Sequence, residues 1–251
     1  GGAALATIIA QYISGLGITV FALRCCPQVI PKKSELKWNG GILKEIVNLS
    51  SMTCIQQSVM NFGILMIQGL VNSFGTSVMA AFAAAVKIDS FAYMPAQEFS
   101  NSFSIFTSQN SGAGDKKRVR EGVRTSVKLS ISFCLVVSVL IFIFAKYLMM
   151  IFVHPEETEI IRIGVEYLRI EGSFYCGIGL LFLFYAYYRG IGKPEMSVVL
   201  TVISLGTRVA LSYALAPILG VRVIWWSIPI GWALADLTGG VYMKKLVKKS
   251  K

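Results

Sequence analysis

"FAYMPAQEFSNSFSIF" occupies residues 91–106. Apolar residues dominate its surroundings, yet the stretch carries Gln97, Glu98, Ser100, Asn101, Ser102 and Ser104, with Asp89 just upstream and Pro95 inside it. How a run that otherwise reads as a membrane-spanning helix comes to hold these groups decides the fold.

The surrounding chain answers first. Of 251 residues, 55% are hydrophobic and 15% are charged, against about 25% charge in an ordinary soluble domain. The apolar residues gather into seven stretches, 3–23, 43–71, 78–106, 127–153, 160–188, 197–219 and 223–243. Each reaches the ~20 residues that a helix needs to cross a ~30 Å hydrocarbon core. The expected fold is therefore all-α, a polytopic membrane bundle of about seven transmembrane helices. Polar residues in several stretches place the bundle around something wet. The first stretch lacks the basic leader of a signal peptide and opens inside a helix, as a truncated chain would.

The net charge of +11 fits either a nucleic-acid binder or a basic membrane protein, and the distribution of the charges separates them. With the seven stretches taken as alternating crossings, one side of the membrane receives sixteen basic residues in its connections and tail: Arg24, Lys32, Lys33 and Lys37; Lys116, Lys117, Arg118, Arg120 and Arg124; Arg189 and Lys193; and Lys244, Lys245, Lys248, Lys249 and Lys251. The connections on the other side hold only Arg222. The positive-inside rule makes the first side cytoplasmic, so the carboxy-terminus is expected inside a multi-pass protein of the cell membrane. Charges sorted by topology rather than interleaved with aromatics on one surface exclude nucleic acid. The tail "MKKLVKKSK" reads as an anchor on anionic membrane lipid.

The opening stretch now acquires a depth. Entering from outside near Val78, the third span places Asp89 eleven residues in, about 16 Å at the helical rise and close to the midplane. From Asp89, the residues Tyr93, Gln97, Ser100, Ser104 and Ser108 follow at helical spacing and trace one face. Lipid would leave that face unpaired, so it turns toward a cavity or partner helices. Pro95 removes the donor that would bond to Phe91, which marks it as a kink and a hinge candidate. The fifth span places Glu171 at the same depth, with Tyr175 one turn on and Gly172, Gly177 and Gly179 permitting close approach or local unwinding. The second span brings Gln56, Gln57 and Asn61 toward that level. The expectation is a shared, water-accessible polar pocket halfway through the bilayer. Two readings of the carboxyls stay open: ion handling, or ion pairs of Asp89 with Lys87 and of Glu171 with Arg169. Asp236 and Arg208 read as a structural ion pair between the last two spans.

No enzymatic constellation appears. The single histidine, His154, lies in the polar loop "VHPEETEI", and helix-spaced serines without a histidine partner offer no nucleophile. "QNSGAGDKKRV" lacks the order of a phosphate loop and reads as the turn ending the third helix. The five cysteines, Cys25, Cys26, Cys54, Cys134 and Cys176, have no metal-binding spacing and read as packing residues. No metal ligand set is assigned.

Several stretches together resemble one family. "NSFGTSVMAAFAAAVKIDSFAYMPAQEFSNSFSIFTSQNSGAGDKKRV" is similar to the seventh-to-eighth helix region of multidrug and toxin extrusion (MATE) transporters, where a small-residue turn, a charged pair, "MP" and "QNxGAG" recur in order. "EYLRI" with "YYRGIGKPEMSV" resembles the tenth helix and the turn after it. "GGAALATIIAQ" resembles the sixth, and "RVALSYALAPILGV" with "WW" the eleventh and the start of the twelfth. The resemblance covers almost the whole chain. It implies that 1–23 is the last helix of an amino-terminal lobe, 24–42 a cytoplasmic inter-lobe linker, and 43–251 a six-helix carboxy-terminal lobe with a basic tail.

The implied activity is antiport, with organic cations or other drugs leaving the cell in exchange for Na+ or H+ and no other cofactor. The implied partners are membrane lipid, small-molecule drugs and the missing amino-terminal lobe. Within this lobe, Asp89 and Glu171 are the expected ion-handling residues, and Gln57, Asn61, Tyr93, Gln97 and Tyr175 the expected substrate contacts. Where some members carry a glutamate in the seventh helix, this chain has "CIQQSVMNF", whose amides cannot titrate. Two alternatives are a lipid-linked precursor flippase of the same superfamily, which calls for a more cationic cavity, and a non-transporting membrane scaffold.

Overall fold

The computed structural model describes residues 2–26 and 38–249. Most of the expected linker 24–42, with Lys32, Lys33 and Lys37, lies outside the described residues, as does Lys251 of the tail. Among the described residues there are eight helices: α1 (Gly2–Cys25), α2 (Gly40–Asn72), α3 (Thr76–Gly112), α4 (Lys116–Phe152), α5 (Thr158–Gly172), α6 (Tyr175–Gly190), α7 (Pro194–Leu219) and α8 (Arg222–Lys249). Six of the seven expected crossings are single helices. The fifth is a pair, α5 and α6, bent by 53° at their junction.

Local chemistry sets the boundaries. The side chain of Asn39 accepts from the backbone N–H groups of Gly41 and Ile42 at 3.0 and 3.3 Å, capping α2. Asp115 accepts from the Arg118 N–H at 2.9 Å and caps α4. Just before it, Gly114 takes a φ of 75° and the N–H of Asp115 reaches back to the Asn110 carbonyl. The "GAGD" segment is thus a helix-ending turn, as the sequence implies, and glycine suits its left-handed position. Pro194 opens α7, where its missing donor costs no intrahelical bond.

Five of these helices, α1 to α4 and α7, are long and apolar enough to cross a membrane, and the bent pair α5 and α6 makes a sixth. The seventh expected crossing, α8, has the length at 28 residues. Trp225, Trp226, Trp232 and Asp236 leave it less apolar than the others, a composition suited to the membrane interface and to packing inside a bundle.

The chain forms two compact units, Gly1–Val47 and Asn48–Lys251. In the first, α1 is apolar on all sides, with Leu5, Ile8, Tyr12 and Leu16 exposed, as a lipid-embedded helix is. In the second, α3 packs against α4, α5 and α6, while α7 packs along α8 and α6 touches both. Gly231 lets the α8 backbone approach that of α7 closely, because a Cβ there would overlap the Ser204 carbonyl of α7. The core between α3, α5 and α8 is aromatic: Phe82 stacks on Trp225 at 5.6 Å, and Tyr167 meets the Trp225 ring edge-on at 4.9 Å. Buried polar groups pair across helices, with the Tyr188 hydroxyl donating to the Gly239 carbonyl at 2.6 Å and the Ser212 and Ser227 hydroxyls bonded at 2.9 Å. Leu135, Val139 and Ile143 on α4 face outward, as apolar groups do where the solvent is hydrocarbon. Cys134 is buried and Cys176 half-buried, and all five cysteines are free thiols.

Proline and glycine mark the two central spans differently. The backbone of α3 runs as one helix through Pro95 from Thr76 to Gly112, so the proline does not break it. The break falls at Ser173 and Phe174, between α5 and α6, where Gly172 ends α5 and the Ser173 hydroxyl bonds back to the Arg169 carbonyl at 2.6 Å.

Candidate functional site: a buried carboxyl pair at a helix break

Asp89 of α3 and Glu171 at the end of α5 meet inside the second unit. Their exposures are 2% and 5%. The Tyr175 hydroxyl, from the first residue of α6, donates to Asp89 Oδ1. Glu171 and the Tyr167 hydroxyl sit against the same carboxyl. Asp89 Oδ2 and Glu171 Oε2 are buried without a hydrogen-bond partner among the described residues. Two facing acids, each with an unbonded oxygen, form a site that gains stability from a proton or a cation between them.

The helix break explains how the cluster is built. Tyr167 and Glu171 lie one turn apart on α5, and the turn through Ser173 and Phe174 brings Tyr175 back onto Asp89. Gly172 fits closely, since a Cβ there would come within 2.9 Å of Ile141 Cγ2 on α4. Tyr93 lies one turn beyond Asp89, half-buried with its ring 6.1 Å from that of Phe182. Gln97 is half-buried a turn further on. Burial along the expected stripe then falls away, from Ser100 at 1% exposure to the exposed Ser108.

The ion pairs considered from sequence do not form among the described residues. Lys87 and Arg169 are exposed and pair with neither carboxyl, and the Arg169 guanidinium lies 5.3 Å over the Phe142 ring instead. Arg208 and Asp236 make no ion pair either, and Arg208 Nε and Asp236 Oδ1 are both buried without a partner. Arg208 acts instead on Glu171 and on Tyr93.

On α2, Gln56 is buried at 7% exposure, whereas Gln57 and Asn61 are exposed; the structure does not bring these two into the cluster. Nor is the cluster an open pocket, because aromatic side chains enclose it and leave both acids nearly inaccessible. Sequence reasoning missed Tyr167 and Arg208. Tyr167 was within reach, since it precedes Glu171 by four residues and so shares its face.

A bundle of apolar spans with a buried acid pair at a helix break defines a multi-pass membrane protein with a polar centre. The MatE family model matches residues 51–214, well over half of the chain, and the chain belongs to that family, whose members are transporters rather than enzymes. It is similar to the probable multidrug resistance protein YpnP of Bacillus subtilis, with 32% identity over 205 residues, 81% of this chain and 45% of that protein. It is also similar to the probable multidrug resistance protein NorM of Thermotoga maritima, with 27% identity over 213 residues, 82% of this chain and 44% of that protein. The chain spans about half the length of the curated relatives it matches. Among solved structures, an outward-facing multidrug resistance MATE transporter superposes with a TM-score of 0.90 at 21% identity, over 100% of this chain and 56% of its own. A MOP superfamily transporter from Pyrococcus furiosus gives 0.89 at 21% identity, over 98% and 56%. At that identity the likeness establishes the fold.

Proposed function

We propose that this chain is the carboxy-terminal portion of a secondary active multidrug exporter, which moves organic cations or other drugs out of the cell in exchange for Na+ or H+. Asp89 and Glu171 take the coupling ion. Tyr93, Gln97 and Tyr175 connect that site to the drug path, and Gln57 and Asn61 on the exposed face of α2 contact the drug. The tail past Met243 lies on the cytoplasmic side, where its lysines meet anionic lipid. A second lobe supplies the surface against which this one moves.

The observation that supports this reading most is the meeting of Asp89 and Glu171, contributed by two separate spans, with one unbonded oxygen on each. Burying both as carboxylates is costly unless a proton or metal cation offsets the charge. An ion that occupies the site therefore favours the closed packing, and its departure favours an arrangement in which the acids reach water. That difference between two states is what an ion gradient needs in order to drive a conformational cycle. The closed cluster is the occluded arm of such a cycle, and the bend between α5 and α6 is the joint that opens it. A flippase for anionic lipid-linked precursors calls for a cationic lining, whereas this cluster sets two acids together with Arg208 as the one cation among the described residues that acts electrostatically on Glu171.

The test is transport by the full-length protein in proteoliposomes, with an organic cation as cargo and a sodium or proton gradient imposed in turn. One of the two gradients is expected to drive transport, and Asp89→Asn with Glu171→Gln to lower the driven rate about tenfold or more. Driven transport that persists unchanged in the double variant would assign the acids to packing.

A further inference from the structure

Away from the carboxyl pair, a cavity of about 880 Å³ opens between α4, α5 and α8 at the end of the lobe where α8 begins, opposite its basic tail. Its lining holds four cations, Lys146 of α4, Arg162 and Arg169 of α5 and Arg222 of α8, with Glu166 and Trp226. Connections alone give this side only Arg222; the other three lie within helices and become neighbours only on folding. Arg222 bonds Glu166 through its Nε and, at 3.5 Å, through Nη2. Lys146, Arg162 and Arg169 have no ion-pair partner among the described residues. The nearby acids, Glu156 and Glu157 of the preceding loop and Glu159 in the first turn of α5, are exposed, and Glu156 lies 3.9 Å from His154.

We propose that this cavity binds the headgroup of an anionic phospholipid of the outer leaflet. Two arginines and a lysine line one recess, with the Arg169 guanidinium over the neighbouring Phe142 ring, and guanidinium and ammonium groups are the donors that phosphate oxygens take up. Beside Lys146, the residues Ile143, Tyr147 and Ile151 lie one turn apart on α4 with exposures of 58%, 67% and 72%, and Trp226 on α8 is 47% exposed. That apolar strip gives the acyl chains a track leading from the headgroup, and the indole suits the interfacial level. Free phosphate would use the cations and leave the strip idle. Glu166 limits the site by holding Arg222.

The test is lipid retention, read by native mass spectrometry of the purified, delipidated full-length protein titrated with phosphatidylglycerol or phosphatidylcholine of the same acyl chains. Its outcome does not depend on the transport reading. Phosphatidylglycerol is expected to bind preferentially, and Lys146→Gln with Arg162→Gln and Arg169→Gln to weaken it about tenfold or more, given the strength of charge-assisted hydrogen bonds. Glu166→Gln, which releases Arg222, is expected to strengthen retention, so the proposal stays testable if the triple variant fails to fold. Equal binding of the two lipids, retention unchanged in the triple variant, or weaker retention in Glu166→Gln would overturn the proposal. So would displacement of the lipid by inorganic phosphate, which would make this a site for free anions.

Discussion

Two long spans each bring one acid to the centre of the lobe, and they are built differently. Helix α3 carries Asp89 and a proline six residues later, yet stays continuous over 37 residues. The span carrying Glu171 has no proline and is broken one residue past Gly172 into α5 and α6. A proline removes one donor and crowds one carbonyl, both tolerable where neighbouring helices hold the axis. A break needs its freed groups satisfied and its two halves packed. Here the Ser173 hydroxyl takes the Arg169 carbonyl, the Phe174 N–H takes the Glu171 carbonyl at 2.9 Å, and Gly172 fits against Ile141. The acid pair therefore joins a continuous helix, α3, to a broken one.

Four substitutions probe that contrast. Largest is Gly190→Leu, at the end of α6 that lies on α3, where a Cβ would stand 2.7 Å from Thr107 Cβ and 2.9 Å from the Ser104 carbonyl. Forcing the helices apart there is expected to cost about 3 kcal/mol, seen as a large fall in thermal unfolding temperature in detergent. An unchanged melt would mean that α6 is not held on α3 at this point. Tyr175→Phe removes the donor that links the broken span to Asp89, with an expected loss of about 2 kcal/mol in the same assay. A neutral result would show that the hydroxyl is not the link.

Gly172→Ala comes next. Its Cβ presses on Cγ2 of the buried, β-branched Ile141, a strain partly offset by higher helix propensity, so stability should fall by about 1 kcal/mol. Drug efflux by the full-length protein should also fall, because the joint is stiffened; unaltered efflux would move the joint elsewhere. Pro95→Ala is the smallest. The helix already runs through the exposed Pro95, and stability should change by about 0.5 kcal/mol or less. A large loss of efflux in this variant would restore Pro95 as a hinge.

Much of this architecture is legible in the chain itself. Hydropathy places the stretches, since each element must be largely apolar over about 20 residues to cross a bilayer, and "GAGD" announces its turn through residue types that few other conformations need. Asp89, Glu171 and Tyr175 were legible as one site because equal depth from the outer face brings residues of different spans to one level. Azimuth was not legible. Whether Gln57 or Gln56 turns inward, and whether Arg208 pairs with Asp236, depends on how each helix is rotated by its neighbours, information that lies in packing between distant segments. The closure of the site was hidden for the same reason. The rings of Tyr167, Phe82 and Trp225 that fill this core come from three helices and carry no local mark of their meeting.

The most direct measurement of whether the two acids act as one unit is a double-mutant cycle on efflux of an organic cation by the full-length protein, using Asp89→Asn, Glu171→Gln and their combination. If they share one ion, each single change should lower the rate about tenfold and the combination should be no more than about twofold worse than the weaker single variant. Losses that multiply, or single variants that transport at the wild-type rate, would contradict the shared site.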